Sequence, residues 1–221
     1  MRDFTDITVV LDRSGSMASV SDATVDGFDE FVKGQKAQGD NAALSLVQFD
    51  DIYENVWNGL PINTVPSVKE IFVPRGMTAL HDAIGKTINE TGQRLSKLSE
   101  AQRPNKVVFV IITDGFENAS KEFNNAKIKS MIEHQTDQYK WSFIFLGSNQ
   151  DAVLSATSLG IKGGWAATYN ANAGSVRKAF SSVSDKMSAY RCCTSAVEAC
   201  NFAGNDKLWT EKEREVLVED K

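Results

Sequence analysis

The segment Asp12-Arg13-Ser14-Gly15-Ser16 sets one carboxylate and two hydroxyls at alternate positions of a short turn that contains glycine. Alternate side chains on such a turn can point into a single concavity. Asp114-Gly115 supplies a second carboxylate, and Gly76-Met77-Thr78 supplies a further hydroxyl where a loop runs into a helical stretch. All of these are hard oxygen donors. Mg2+ takes such ligands, and Mn2+ and Ca2+ take them too, whereas zinc and copper favour imidazole or thiolate. Hydroxyls are neutral, weak donors, so a cation held directly by Ser14, Ser16 and Thr78 keeps much of its charge and seeks a carboxylate from outside. Where Asp12 and Asp114 act through water, that electrophilic character is stronger still.

Such donors have to be delivered by the ends of strands, and the sequence supplies the strands. Ile7 to Leu11 and Val107 to Ile112 are near-continuous apolar runs rich in β-branched residues, as expected for central parallel strands buried on both faces. Phe143 to Leu146, led by Trp141, reads as a third, and Trp165 to Tyr169 as a weaker candidate after the Gly163-Gly164 break. Leu44 to Phe49 alternates more and runs through Asp50-Asp51 into Ile52 to Trp57, the pattern of a hairpin whose second strand lies antiparallel at the sheet edge. Helical spacing joins Val25, Phe28 and Val32, and it joins Leu80, Ile84, Ile88, Leu95 and Leu98; further helical patterns cover Lys121 to Asp137, Asp151 to Ser158 and Ser175 to Tyr190. Strands alternating with helices of this length predict an α/β fold: a doubly wound, mostly parallel sheet with one antiparallel edge strand and helices on both faces. In such sheets ligands sit beyond the carboxyl ends of the strands, where the strand order reverses, and Asp12 and Asp114 stand at two such ends.

The stretches VVLDRSGSM, GMTALHDAI and VIITDGFEN are similar, in order and spacing, to the metal-site loops of the von Willebrand factor type A domain family. The resemblance covers Phe4 to Tyr190, and we place the domain at residues 1–190, with a partly helical appendage at 191–221 whose final helix starts at a capping box of Thr210 and Glu213. It implies a Rossmann-like fold with a metal-ion-dependent adhesion site. Ser14, Ser16 and Thr78 would contact the metal, Asp12 and Asp114 would bind it directly or through water, and a partner's Asp or Glu would complete the shell. The stretch FIFLGSNQDA and the later SLGI also resemble small intracellular bacterial and phage members of that family.

Residues flanking the donors are candidates for a partner-facing rim: Arg13, Met17, Met77, His81, Phe116 and Glu117. Methionines and a phenylalanine around a cation suit a contact surface, although Met17 and Met77 are equally read as packing beneath their own loops. Asn149 and Asp151 read as helix caps more readily than as site residues, and Asp50-Asp51 as a hairpin turn. An enzymatic alternative, a Mg2+-dependent phosphohydrolase of the haloacid-dehalogenase kind, needs an acid/base aspartate where Ser14 stands. A serine hydrolase lacks its GxSxG, and no phosphate-binding GxxxxGK[ST] or GxGxxG occurs.

Composition bounds the rest. The 42% hydrophobic and 24% charged content is that of an ordinary globular protein, and a net charge of −5 argues against nucleic acid as the main partner. No segment approaches the ~18 consecutive apolar residues of a membrane helix, and Ile7 to Leu11 is too short for a signal-peptide core. Cys192, Cys193 and Cys200 leave one thiol over in any pairing within the chain and lack zinc-site spacing, so we read them as packed thiols in a C-terminal helix and expect a reducing cytoplasm. The expected function is a non-enzymatic, Mg2+-dependent module that binds an acidic side chain of a protein partner. A scaffold protein whose metal stabilises the fold or a subunit contact is the alternative.

Overall fold

Strands buried on both faces cannot alternate in polarity, and the apolar runs of this chain become the middle of its sheet. In the computed structural model, which describes residues 2–148, 151–193 and 208–219, they form a six-stranded sheet. Its strands are β1 (Arg2–Asp12), β2 (Ala42–Phe49), β3 (Tyr53–Pro61), β4 (Pro104–Thr113), β5 (Ser142–Ser148) and β6 (Ala166–Tyr169). The spatial order is β3-β2-β1-β4-β5-β6. Every neighbouring pair is parallel except β2 with β3, which is antiparallel at the edge. This is the predicted architecture. β3 runs past Trp57 to Pro61, and register shifts near Leu46 mark the irregular pairing that the sequence pattern could not show.

The helices are α1 (Ser21–Ala37), α2 (Leu80–Ser96), α3 (Asn125–Tyr139), α4 (Ala152–Ser158), α5 (Ala173–Cys192) and α6 (Glu211–Val218). A 3₁₀ turn, Gly15–Val20, leads into α1. Chain order runs outward from β1 in both directions, so right-handed crossovers send α1 to one face and α2 and α3 to the other. α5 returns to the α1 face, where Phe180 meets Phe28 edge-on at 6.4 Å.

Two boundaries differ from the pattern for identifiable reasons. The α3 pattern begins at Lys121, but the backbone N–H groups of Lys121, Glu122 and Phe123 are held by the Asp82 carboxylate at 2.8–2.9 Å. Asn124 then caps the helix by accepting from Lys127 N at 2.9 Å. The tail packs against the body: Trp209 is buried, its indole donates to Ser182 Oγ at 2.7 Å, and α6 starts at the Thr210–Glu213 capping box. Cys192 is exposed at the end of α5, a correction to the reading of packed thiols, whereas Cys193 is half-buried and packs against the core; Cys200 lies outside the described residues.

At the amino ends of the strands, buried and half-buried cations tie the layers together. Lys106, wholly buried on β4, donates to the carbonyls of Arg191 at 2.8 Å and Cys193 at 2.6 Å, so it caps the end of α5. Arg191 donates to Gln35 O, to Gly39 O at 2.9 Å and to Asn41 Oδ1 at 2.9 Å, joining α5 to the α1–β2 connection. Arg94 on α2 grips Asp6 of β1 with a two-pronged pair at 2.7 and 2.8 Å.

Candidate metal centre

The order of strands reverses at β1 and β4, and the loops leaving their carboxyl ends part to opposite faces, opening a crevice between them. Asp12 is the last residue of β1 and Asp114 follows the last residue of β4. Asp12 is fully buried. Its carboxylate accepts from Ser14 N at 2.7 Å and from Thr113 Oγ1 at 2.6 Å, which fixes the turn after β1 against the end of β4. Beyond it the hydroxyls form a chain: Ser14 Oγ lies 3.0 Å from Ser16 Oγ, and Ser16 Oγ donates to Asp114 Oδ1 at 2.6 Å. Thr78 closes the group from the side. A methyl group at Gly115 would lie 3.0 Å from Thr78 Oγ1 and 3.7 Å from Ser16 Oγ, so only a glycine keeps that space open.

Three loops therefore bring together Asp12, Ser14, Ser16, Thr78 and Asp114, and the structure shows what welds the loops. Asp50, read from sequence as part of a turn, is completely buried. Its Oδ2 accepts from Arg13 Nε at 3.1 Å and Arg75 Nε at 2.8 Å, its Oδ1 from Ile52 N at 2.6 Å, and its carbonyl from Ala79 N at 3.0 Å. One residue thus holds the first loop to the second. Asp51 adds a bond from Met77 N at 3.2 Å and sits so close to Gly76 that any side chain there would overlap its carboxylate. Gly76 also has a φ of +68°, which glycine alone adopts readily.

The second loop is held to the third in the same way. Thr78 N donates to Asn118 Oδ1 at 2.9 Å, and Thr78 O accepts from Asn118 N at 3.0 Å and Ala119 N at 3.2 Å. Asp82 receives the three amides ahead of α3. Burial of that carboxylate opposes ionisation, but those amides and Lys86 outweigh it and hold its pKa below the ordinary aspartate value. Glu117 accepts from His81 N at 2.8 Å, Ala119 N at 3.0 Å, Ser120 N at 2.7 Å and Ser120 Oγ at 2.7 Å. Here too burial works against ionisation, and the hydrogen bonds prevail to lower the pKa.

These contacts correct part of the expected rim. Arg13 and Met17 are buried, Arg13 because its guanidinium serves Asp50, Gln48 and Glu54 between strands and loops. Glu117 ties its own loop to the start of α2. His81 is partly buried, which lowers its pKa, and its Nδ1 stands 3.7 Å from Glu117. Met77 and Phe116 do face solvent, at 55% and 64% exposure. Asp151 caps α4 by accepting from Val153 N and Leu154 N at 3.1 and 3.0 Å, and Asn149 lies outside the described residues. Sequence reasoning also passed over Tyr169. Buried at the end of β6, it donates to Thr113 O at 3.2 Å, and burial, with Asp114 and Asp12 nearby, raises its pKa well above the usual value and keeps it neutral. Asp50 could have been found by the logic that found Asp12, since it too follows a strand next to β1 at the carboxyl end.

Electrostatically the crevice is short of positive charge. Burial raises the Asp12 pKa to about 6, an effect that hydrogen bonds from Thr113 and Ser14 reduce and that nearby Asp114 adds to. Burial likewise raises Asp114, against the bond from Ser16. Arg13 and Arg75 are engaged with Asp50, and among the described residues no cation pairs with Asp12 or Asp114. Two carboxylates and three hydroxyls around one crevice are a donor set that a hard divalent cation fits, and its charge would offset the cost of burying the acids.

No protein-family model and no curated protein matches the chain. Among solved structures it is similar to proximal thread matrix protein 1 from the mussel byssus, with a TM-score of 0.60 and 16% identity over 82% of this chain and 47% of that one. A further structure of that mussel protein has a zinc-occupied MIDAS motif and matches with a TM-score of 0.59 at 17% identity. A von Willebrand factor type A structure from Catenulispora acidiphila matches at 0.58 with 13% identity, over 83% of this chain and 42% of its own. This chain spans less than half the length of each of these. By fold, the protein is a von Willebrand factor type A-like domain.

Proposed function

We propose that the protein is a metal-dependent adhesion-type module that binds the carboxylate of a protein partner through a divalent cation held at Asp12, Ser14, Ser16, Thr78 and Asp114. The observation that carries this reading is the hydrogen-bonded chain Ser14–Ser16–Asp114 at 3.0 and 2.6 Å, set against the buried Asp12 at the reversal of the sheet. Neutral hydroxyls outnumber carboxylates in it, so a bound cation keeps an appetite for an outside acid. The exposed Met77 and Phe116 offer apolar contact area beside it. Mg2+ is the proposed ion, as the commonest hard cation of a reducing cytoplasm, which is the proposed setting. The zinc in the mussel protein's MIDAS motif makes zinc a competitor to include. No catalytic role is part of the reading.

Calorimetric titration of Mg2+ into the wild-type protein and Asp12→Ala tests the site. Saturable binding by the wild type and at least a tenfold loss in the variant are expected; equal binding by both would sink the assignment. Addition of a glutamate-bearing peptide to the Mg2+-loaded protein, with and without EDTA, tests the carboxylate step.

A further inference from the structure

A cavity lies at the opposite end of the sheet from the metal centre, on the face covered by α2 and α3. There the carboxyl ends of both helices and the first residues of β4 enclose a cavity of about 440 Å³. That size suits a small organic ligand. Its walls bear Trp141, Tyr139, His134, Gln135, Arg103 and Gly92.

Three features give the cavity a chemistry. The first is aromatic. Trp141 is buried with one face stacked on Phe109, the rings 5.4 Å apart and 17° from parallel, while Tyr139 stands 63% exposed with its ring edge-on to His134 at 5.7 Å. Lys140 between them has a φ of +58°, and this reversal sends Trp141 inward and leaves Tyr139 outside. The second is charge. Arg103 is exposed at the mouth and has no acidic partner among the described residues, unlike Arg13, Arg75, Arg94 and Arg177. The carboxyl end of α3, which would otherwise favour a cation, is already met by Lys140, whose ammonium donates to Asp137 O at 2.6 Å.

The third is empty space kept at a cost. Gly92 sits inside α2, where glycine is the least favourable residue after proline. Gly85 in the same helix has a packing reason, because a side chain there would strike the Phe123 ring at 2.6 Å. At Gly92 a side chain would meet nothing within 4 Å. Fold packing does not ask for glycine here, and what it preserves is the opening of the cavity.

We propose that this cavity binds a small planar aromatic acid, its ring against Trp141 and Tyr139 and its carboxylate paired with the guanidinium of Arg103. A planar ring suits aromatic walls, and the guanidinium fork matches a carboxylate. The site is separate from the metal centre and does not depend on it.

The probes are 2-naphthoate and its neutral amide, titrated calorimetrically into the full chain in EDTA. The expected result is saturable naphthoate binding at sub-millimolar concentration and roughly tenfold weaker binding of the amide. Gly92→Leu, which fills the cavity and favours the helix, is expected to weaken naphthoate more than tenfold with an unchanged or higher Tm. Arg103→Gln should bring naphthoate down to the level of the amide. The absence of saturable heat up to millimolar naphthoate overturns the proposal, as does wild-type affinity in Gly92→Leu or equal binding of acid and amide.

Discussion

The two ends of the sheet handle buried charge in opposite ways. At the amino end the buried charges, the cations Lys106 and Arg191 and the acid Asp6, are each answered within the chain. Lys106 meets the carbonyls at the end of α5, Arg191 those near Gly39, and Arg94 the carboxylate of Asp6. At the carboxyl end the buried charges are acids, with Arg13 among them as the counter-charge of Asp50. Asp50 and Asp82 are answered by guanidinium groups or amides, whereas Asp12 and Asp114 have hydroxyls and one amide each around them. A charge answered internally supports the fold. A charge left unanswered is held in place by the fold at some cost, and the proposed cation would sit at the end of the molecule that bears that cost.

Breaking the amino end should show most. Lys106→Met removes the donor to two carbonyls and leaves them buried, which is expected to lower stability by about 3 kcal/mol in urea denaturation. Mg2+ affinity of the folded fraction should stay unchanged; a loss of affinity equal to that of Asp12→Ala would erase the distinction between the two ends. Asp50→Asn at the carboxyl end is expected to cost about 2 kcal/mol, because the buried Arg13 is left with only the exposed Glu54 as its counter-charge. Here stability and metal affinity should fall together, since the same residue anchors the first and second loops.

Asp12→Asn should separate the two quantities. The amide can keep the bond from Ser14 N, and the Thr113 hydroxyl has Gly115 O at 3.2 Å as a second acceptor. The metal-free variant is therefore expected to be as stable as the wild type to within about 1 kcal/mol, or more stable, while Mg2+ binding is lost. A steep fall in Tm would mean that Asp12 supports the fold as Lys106 does.

The smallest effect concerns the tail. Glu213 pairs with Lys186 at 2.6 Å and caps α6, and those hydrogen bonds lower its pKa from 4.5 to about 2. A lowered carboxylate pKa contributes stability above the unfolded value, and this is lost as the pH falls from about 4.5 towards about 2. The side chain is 42% exposed, so the contribution is screened to about 1 kcal/mol or less. Comparison of Trp209 fluorescence in wild type and Glu213→Gln as the pH falls from about 6 to about 2 should show the acid-induced change in the wild type alone.

Much of the fold is legible without coordinates, because the strands advertise themselves. Ile7 to Leu11 and Val107 to Ile112 are apolar without alternation, a pattern compatible with burial on both faces of a parallel sheet. The antiparallel edge follows from the short Asp50–Ile52 connection, since parallel neighbours need a longer crossover. Boundaries were less legible. The α3 pattern extends back to Lys121, yet Asp82, distant in sequence, claims those amides first. Local propensity carries no record of that competitor.

The donor types at Asp12, Ser14, Ser16, Thr78 and Asp114, and hence the hard-oxygen character of the crevice, were determined by the sequence alone, because ligand chemistry is a property of side-chain type and loop spacing. What only the tertiary structure decided is which neighbours serve the crevice and which face outward. Arg13 and Met17 lie within a few residues of the same turn as Ser16 and turned inward, while Met77 and Phe116 turned outward. The direction of Arg13 was set by a partner far along the chain, Asp50, and the loop that carries Met77 and Thr78 was set by another, Asn118. Burial is a property of what packs against a residue, and no window of local sequence contains it.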